Sequence, residues 1–292
     1  MNKISIRFFN DQEVRAVWDE QKNKWLFSVI DIVEVLSDSN NPRRYWSDLK
    51  IKLGRADSQL YGKIVQLKLK ASDGKFYSTD CLDADGIKEL GKQFPGKRAN
   101  RFIDWFTYSP ETIDAKSKQK AYALFESDLL SSLEPGSIKC LQQIHAYLFG
   151  GLYDFAGQIR KLNISKGGFM FASANFLVGS LRVIERMPET TFDEILDKYI
   201  EMNIAHPFME GNGRSTRIWL DLIFKRSLKK CVDWSKIGKS DYHLAMRESP
   251  TNPERIKALI KQALTDKIND REMFMKGIDY SYYYEEEDIV IT

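Results

Sequence analysis

Residues 206–217 read HPFMEGNGRSTR. One imidazole, one carboxylate, two glycines, an asparagine and two guanidinium groups fall in this stretch, and few of them are residues a hydrophobic core selects. His206 has an unperturbed pKa near neutrality, so it can take a proton from an incoming hydroxyl. Proline disfavours α conformation in the residue before it, so a helix arriving at residues 205–207 should end there. Gly211 and Gly213 let the backbone turn closely, and a new helix is expected to start near residues 212–214. Bare amides feeding a helix N-terminus cradle an anion, because unsatisfied donors and the positive end of the dipole point the same way. Gly211, Asn212 and Gly213 are the candidate cradle. Arg214 and Arg217 are three apart, share one helix face and can both reach a polyphosphate. Glu210 brings a hard oxygen ligand suited to Mg²⁺ bridging phosphate oxygens. Base, metal ligand, anion nest and arginine clamp together suit transfer from a nucleotide. An isolated Gly-Asn-Gly is usually only a loop; the ordered string is what points to chemistry.

The elements that must position this string divide in two. EVRAVWDEQKNKWLFSV (13–29) reads as two short strands joined by a polar turn. SVIDIVEVL follows, with Val29, Ile32, Val33 and Leu36 at the spacing of one helical face and Ser28 as N-cap. NPRRYWSDLKIKL places Tyr45, Trp46, Leu49 and Leu53 on a second helical stripe after an Asn-Pro start. VQLKLKASDGKFYST alternates apolar and polar residues on both sides of Asp-Gly, a hairpin signal. Helices around 82–93 and 99–106 should close a small α+β domain over residues 1–108. YSPETIDAKSKQK is polar and contains a proline, so residues 109–120 read as a linker. From residue 121 to 292 the helical period dominates. SIKCLQQIHAYLFGGLYDF, FDEILDKYIEMNIA, STRIWLDLIFKRSL and NPERIKALIKQALTDKI are each amphipathic. Between the first two, NISKGGFMFASANF (163–176) reads as a hairpin or flap. The fold class expected is mainly α, with a small β flap, preceded by the α+β domain.

Composition excludes some classes. Hydrophobic residues make up 43% of the 292-residue chain, which is enough for real cores. No apolar run is long enough to cross a membrane, and the first residues lack a secretory pattern. The three cysteines, Cys81, Cys140 and Cys231, form neither a metal-ligand spacing nor a disulfide framework. Each should be a small buried residue, and a cytoplasmic location is expected. Net charge is only +3, but positions 43–75 hold nine Lys or Arg against three Asp. A polyanion-binding face is therefore expected in the first third.

The motif closely resembles the signature of the Fic family, H-x-F-x-[DE]-G-N-G-R-x-x-R, at every specified position: His206, Phe208, Glu210, Gly211, Asn212, Gly213, Arg214 and Arg217. The resemblance extends over about 121–285, and LYDFAGQIRKLNISKGGFMF (152–171), with Gly157 and Arg160, is similar to the segment preceding the motif. It implies an all-helical fold with a small hairpin flap, and transfer of AMP from ATP to a Ser, Thr or Tyr hydroxyl of a protein, itself included. It implies His206 as general base, Phe208 packed beneath the loop and Glu210 on Mg²⁺. It further implies Asn212 with the Gly211 and Gly213 amides on the α-phosphate, and Arg214 and Arg217 on the β- and γ-phosphates. Lys166, Gly167, Gly168, Phe169, Met170 and Phe171 would form the flap that pairs with an extended target by strand addition. Some classes of the family form dimers, so a homo-oligomer is among the expected assemblies.

SYYYEEEDIVIT (281–292) resembles that family's inhibitory motif, [ST]-x-x-x-E-[GN], through Ser281 and Glu285, whereas Glu286 departs from it. The expectation is that Glu285 pairs with Arg217 and removes it from the phosphate clamp. His145 is expected to be packed, and His243 to lie at the surface or a helix end.

The first domain, over residues 4–106, resembles the BRO family N-terminal domain of phage antirepressor-like proteins, which implies DNA binding. Arg43, Arg44, Lys50, Lys52 and Arg55 around a helix with Tyr45 and Trp46 are the candidate contacts. The competing expectation is that this domain docks the modification target. The rival reading of the whole chain is a prophage-type DNA-binding regulator whose Fic half binds nucleotide without turnover.

Overall fold

The computed structural model describes residues 4–9, 12–19, 21–22, 24–37, 39–56, 58–71, 73–108, 112–166 and 169–285. The chain forms two compact units, Met1–Thr112 and Ile113–Thr292.

The first unit is a helix-on-sheet layer. Its strands are β1 (Ile4–Phe9), β2 (Gln12–Asp19), β3 (Lys24–Ser28), β4 (Val65–Lys70) and β5 (Phe76–Leu82). They form one antiparallel sheet in the order β1-β2-β3-β5-β4. Its helices are α1 (Val29–Leu36), α2 (Pro42–Arg55), α3 (Gln59–Gly62), α4 (Ala84–Gly91) and α5 (Lys97–Tyr108). Ser28 caps α1 by accepting from the Asp31 amide, and Val29, Ile32, Val33 and Leu36 are all buried, as their period requires. The Asp73-Gly74 turn closes the β4–β5 hairpin, with Gly74 at φ +80°. Trp46 and Leu53 of α2 are buried, whereas Tyr45 lies over Phe94 at 5.4 Å. The helix expected from position 82 starts instead at Ala84, because Leu82 completes β5 and Asp83 caps the helix.

The second unit is helical. It contains α6 (Ile113–Glu126), α7 (Leu129–Ser132), α8 (Ile138–Phe149), α9 (Ala174–Glu185), α10 (Phe192–Ala205), α11 (Asn212–Leu228), α12 (Lys239–Glu248), α13 (Glu254–Ala263) and α14 (Arg271–Tyr283). Residues 113–120, read from the sequence as linker, form the start of α6. Two short antiparallel pairs interrupt the helices: β6 (Ser165–Lys166) with β7 (Phe169–Met170), and β8 (Cys231–Val232) with β9 (Leu264–Thr265). The second pair corrects the expectation of a helix through residue 268. Leu264 turns to φ −62°, ψ 138° and pairs with Val232, so ladder bonds replace another helical turn. α11 is the central helix, buried on nearly every face and packed by α8, α10 and α14. All three cysteines are buried and unpaired. Among the described residues no helix is long and apolar enough to cross a membrane.

Asp221 locks the segment after α11. Its two oxygens accept from the Val232 amide (2.8 Å) and the Trp234 indole (2.9 Å). Burial lifts its pKa from 3.8 to about 7, against the lowering effect of those two bonds. A carboxyl raised in the folded state contributes stability that is present below about pH 4 and is lost as pH rises to about 7. The native chain should therefore lose on the order of 4 kcal/mol relative to Asp221→Asn over that range. Parallel pH profiles in chemical denaturation would sink this assignment.

Candidate active site

The site lies wholly in the second unit. α10 ends at Ala205, and His206 follows in the left-handed region at φ 48° while its amide still bonds Met202 O. This conformation is costly for a residue other than glycine and persists only where its surroundings hold it. Arg160 does the holding: its Nε donates to His206 O (2.7 Å), Nη1 to Leu162 O (2.6 Å), and Nη2 to Ala172 O and Ala205 O. One buried guanidinium thus ties the base of the flap to the histidine. His206 Nδ1 lies 3.2 Å from Asn203 O. A carbonyl only accepts, so the proton sits on Nδ1 and the lone pair on Nε2. Burial pushes the imidazole pKa down to about 4, so the ring is a neutral base at neutral pH. Its face stacks on Phe171, with centroids 3.7 Å apart.

The turn after His206 is built from below. Phe208 is fully buried and stacks on His145 at 3.8 Å. His145 donates from Nε2 to Glu210 O (2.8 Å), while its Nδ1 accepts from the Gly157 amide (2.8 Å). Burial drops its pKa to about 4, which keeps the neutral form that these two bonds need. Gly211 has φ +80°, and a Cβ there would come 2.4 Å from the Phe149 ring. The Asn212 side chain accepts from the Phe208 amide (2.8 Å) and donates to Phe208 O (2.8 Å), so besides any role toward an anion it staples the turn. Gly211 leaves α11 without a side-chain cap, so the cradle is made of backbone N–H groups.

Glu285 lies over this cradle. A Cβ on Gly213 would fall 2.2 Å from Glu285 Oε1, so only glycine admits the carboxylate there. Arg217 donates from Nη2 to Glu285 Oε1 (2.7 Å) and to Ser281 O (2.6 Å), and from Nε to Ser281 Oγ (2.8 Å). The pairing of Arg217 with Glu285 is the one expected from the sequence; the two bonds to Ser281 are an addition of the structure. The guanidinium also lies 5.4 and 5.3 Å from the centroids of the mutually stacked Tyr242 and Tyr284 rings and donates to Tyr242 OH. Burial alone would raise the Glu285 carboxyl, but Arg217, then Arg214 and Lys166, outweigh it and hold the pKa at about 2. Arg214 is held by Asp114 of α6 and by Glu210 (2.9 Å). Glu210 itself is half exposed and accepts from the Gly211 amide.

The flap residues Lys166, Phe169, Met170 and Phe171 lie beside the site; Gly167 and Gly168 lie outside the described residues, as does Glu286. His243, expected at the surface or a helix end, is partly exposed and donates to Tyr284 O (2.7 Å), anchoring the end of α14. Of the candidate DNA contacts, Arg43, Arg44, Lys52 and Arg55 are exposed. Lys50 is corrected: it pairs with Asp80 (2.7 Å), which also accepts from the Trp46 indole, so it braces α2 on the sheet.

His145 is packed as expected, but sequence reasoning missed its two bonds to the turn and missed Tyr242 and Asp114 as supports. A fully buried histidine at the floor of the turn has a measurable consequence. His145→Phe would leave the Glu210 carbonyl and the Gly157 amide unpaired, and should lower unfolding free energy by about 3 kcal/mol. A denaturation midpoint unchanged from native would show that the turn holds without it.

The Fic/DOC family model matches residues 135–224. The chain is 29% identical over 154 residues to the protein adenylyltransferase VbhT of Bartonella schoenbuchensis, covering 48% of this chain and 32% of that protein. It is 28% identical over 114 residues to the probable protein adenylyltransferase y4lH of Sinorhizobium fredii, covering 34% of this chain and 59% of that one. The matched part thus spans less than two thirds of either relative. Among solved structures, the BepC protein of Bartonella tribocorum with bound AMPPNP aligns at a TM-score of 0.46 and 19% identity, covering 55% of this chain and 87% of that one. The matched segment holds His206, the glycine turn and both arginines, so the part of the chain that builds the site is the part similar to the Fic/DOC family and to these adenylyltransferase relatives.

Proposed function

We propose that the chain transfers AMP from ATP to a protein hydroxyl and that Glu285 restrains the reaction. The observation that carries this reading is the Glu285 carboxylate over the α11 N-terminus, 2.7 Å from Arg217 and against Gly213. A nest of amides and buried guanidinium groups suits an anion, and a side-chain carboxylate here takes the place a phosphate would need. With Glu285 withdrawn, the α-phosphate of ATP sits on the Gly211–Gly213 amides, and Arg214 and Arg217 take the β- and γ-phosphates. The acceptor oxygen attacks the α-phosphorus, its proton passes to His206 Nε2, and the α–β bridge breaks to release pyrophosphate.

Among the described residues no cluster of three metal-ligating side chains exists. Mg²⁺ needs none, since it is commonly held by one or two carboxylates plus substrate phosphates. Glu210, half exposed at the rim of the nest, fits that role and would place the charge of the ion against the phosphate oxygens.

Purified native, Glu285→Gly and Glu285→Gly/His206→Ala chains should be incubated with labelled ATP and Mg²⁺. Glu285→Gly should label itself at least about tenfold faster than native, and loss of the base should lower that rate by about a hundredfold or more. Equal rates for native and Glu285→Gly would remove the restraint from the reading; label that survives the histidine change would remove the base.

A second reading, DNA binding by the first unit, is favoured by one observation. Arg43, Arg44, Lys52 and Arg55 stand exposed along α2, and Phe76 and Tyr77 are exposed on β5. Four phosphate contacts predict roughly a hundredfold loss of affinity between about 50 and 200 mM salt. A gel shift over that series tests it: no shift even at low salt would leave target docking as the role of this unit.

A further inference from the structure

The flap has two faces, and two independent contacts identify them. Lys166 pairs with Phe169 and Ser165 with Met170, so the first pair shares one face of the hairpin and the second pair the other. Lys166 Nζ lies 3.9 Å from Glu285 Oε2, and Phe171, two residues beyond Phe169, stacks on His206. The face of Lys166, Phe169 and Phe171 therefore looks onto the site. Met170 stands on the reverse face and is 74% exposed. Leu162 and Phe176, on the segments leading into and out of the hairpin, are 64% and 73% exposed. None of these side chains is engaged in the packing of its own domain, and a thioether adapts readily to varied apolar partners.

Resting on the transfer reading above, we propose that Met170 is a subsite that reads the neighbours of the acceptor residue. The occupant is an extended protein segment in which a Ser, Thr or Tyr is flanked by apolar residues. The argument is the pleat. A strand added to the β7 edge of the hairpin keeps its alternation, so a residue whose hydroxyl faces His206 turns both neighbours to the reverse face, beside Met170. Apolar neighbours bury there against Met170, whereas charged neighbours lose hydration without gaining a partner. Bulk selection thus comes from the side of the flap away from the chemistry, and the hydroxyl is chosen on the other.

The test uses the full-length Glu285→Gly chain, Mg-ATP and three peptides that differ only in the two residues flanking a central Thr: Val, Lys or Glu. The Val-flanked peptide should show a kcat/KM roughly fivefold above the others. Met170→Glu in the same background should turn the preference toward the Lys-flanked peptide, a reversal that loss of fold cannot imitate. Equal kcat/KM for all three, a preference untouched by Met170→Glu, or a chain that labels itself and no peptide overturns the subsite. No label anywhere, the protein itself included, overturns the transfer reading and the subsite with it.

Discussion

The buried contact between Arg217 and Glu285 organises the second unit. A fully buried guanidinium is tolerable only when its donors are satisfied, and here Ser281, Tyr242 and Glu285 satisfy them from two other helices and the end of α14. The same carboxylate sits at the positive end of α11, so it meets a dipole as well as a charge. The Tyr242 and Tyr284 rings stack on each other with centroids 4.6 Å apart and the cation lies against both, while the single proton of the Tyr284 hydroxyl is shared between Trp234 O and Ile237 O. The end of α14 that carries Glu285 is thus held by aromatic and hydrogen-bonded contacts as well. The carboxylate alone does not hold it.

Around that contact, positioning is done by polar groups buried beneath the surface. His145, Asn212 and Arg160 each satisfy backbone atoms of the 206–212 turn. Such bonds cost little in a dry interior and much if broken, which makes the turn rigid where backbone amides must converge. The left-handed His206 is the visible result: strain at one residue, held by Arg160 and by the start of the turn. The histidine keeps its neutral form for the same reason, since the burial that holds the ring also disfavours its charge.

The sequence by itself determined what is local. The 206–217 string, the helical stripe of α1, the Asp73-Gly74 hairpin and the flap are all set by spacing within a few residues, where periodicity and backbone preference act, whereas α11, expected to be amphipathic, is buried on nearly every face. Tertiary structure decided what depends on distance through space. Arg217 meets Tyr242 as well as the carboxylate that the resemblance named, Lys50 pairs with Asp80, and the Asn212 side chain bonds the Phe208 backbone. Leu264 leaves its helix because Val232 offers a ladder partner. A helical period states which face of an element is apolar; it does not state which polar group will face a given cation once the elements are packed. That choice is made by desolvation, which forces each buried charge and amide onto whatever partner the fold brings within reach.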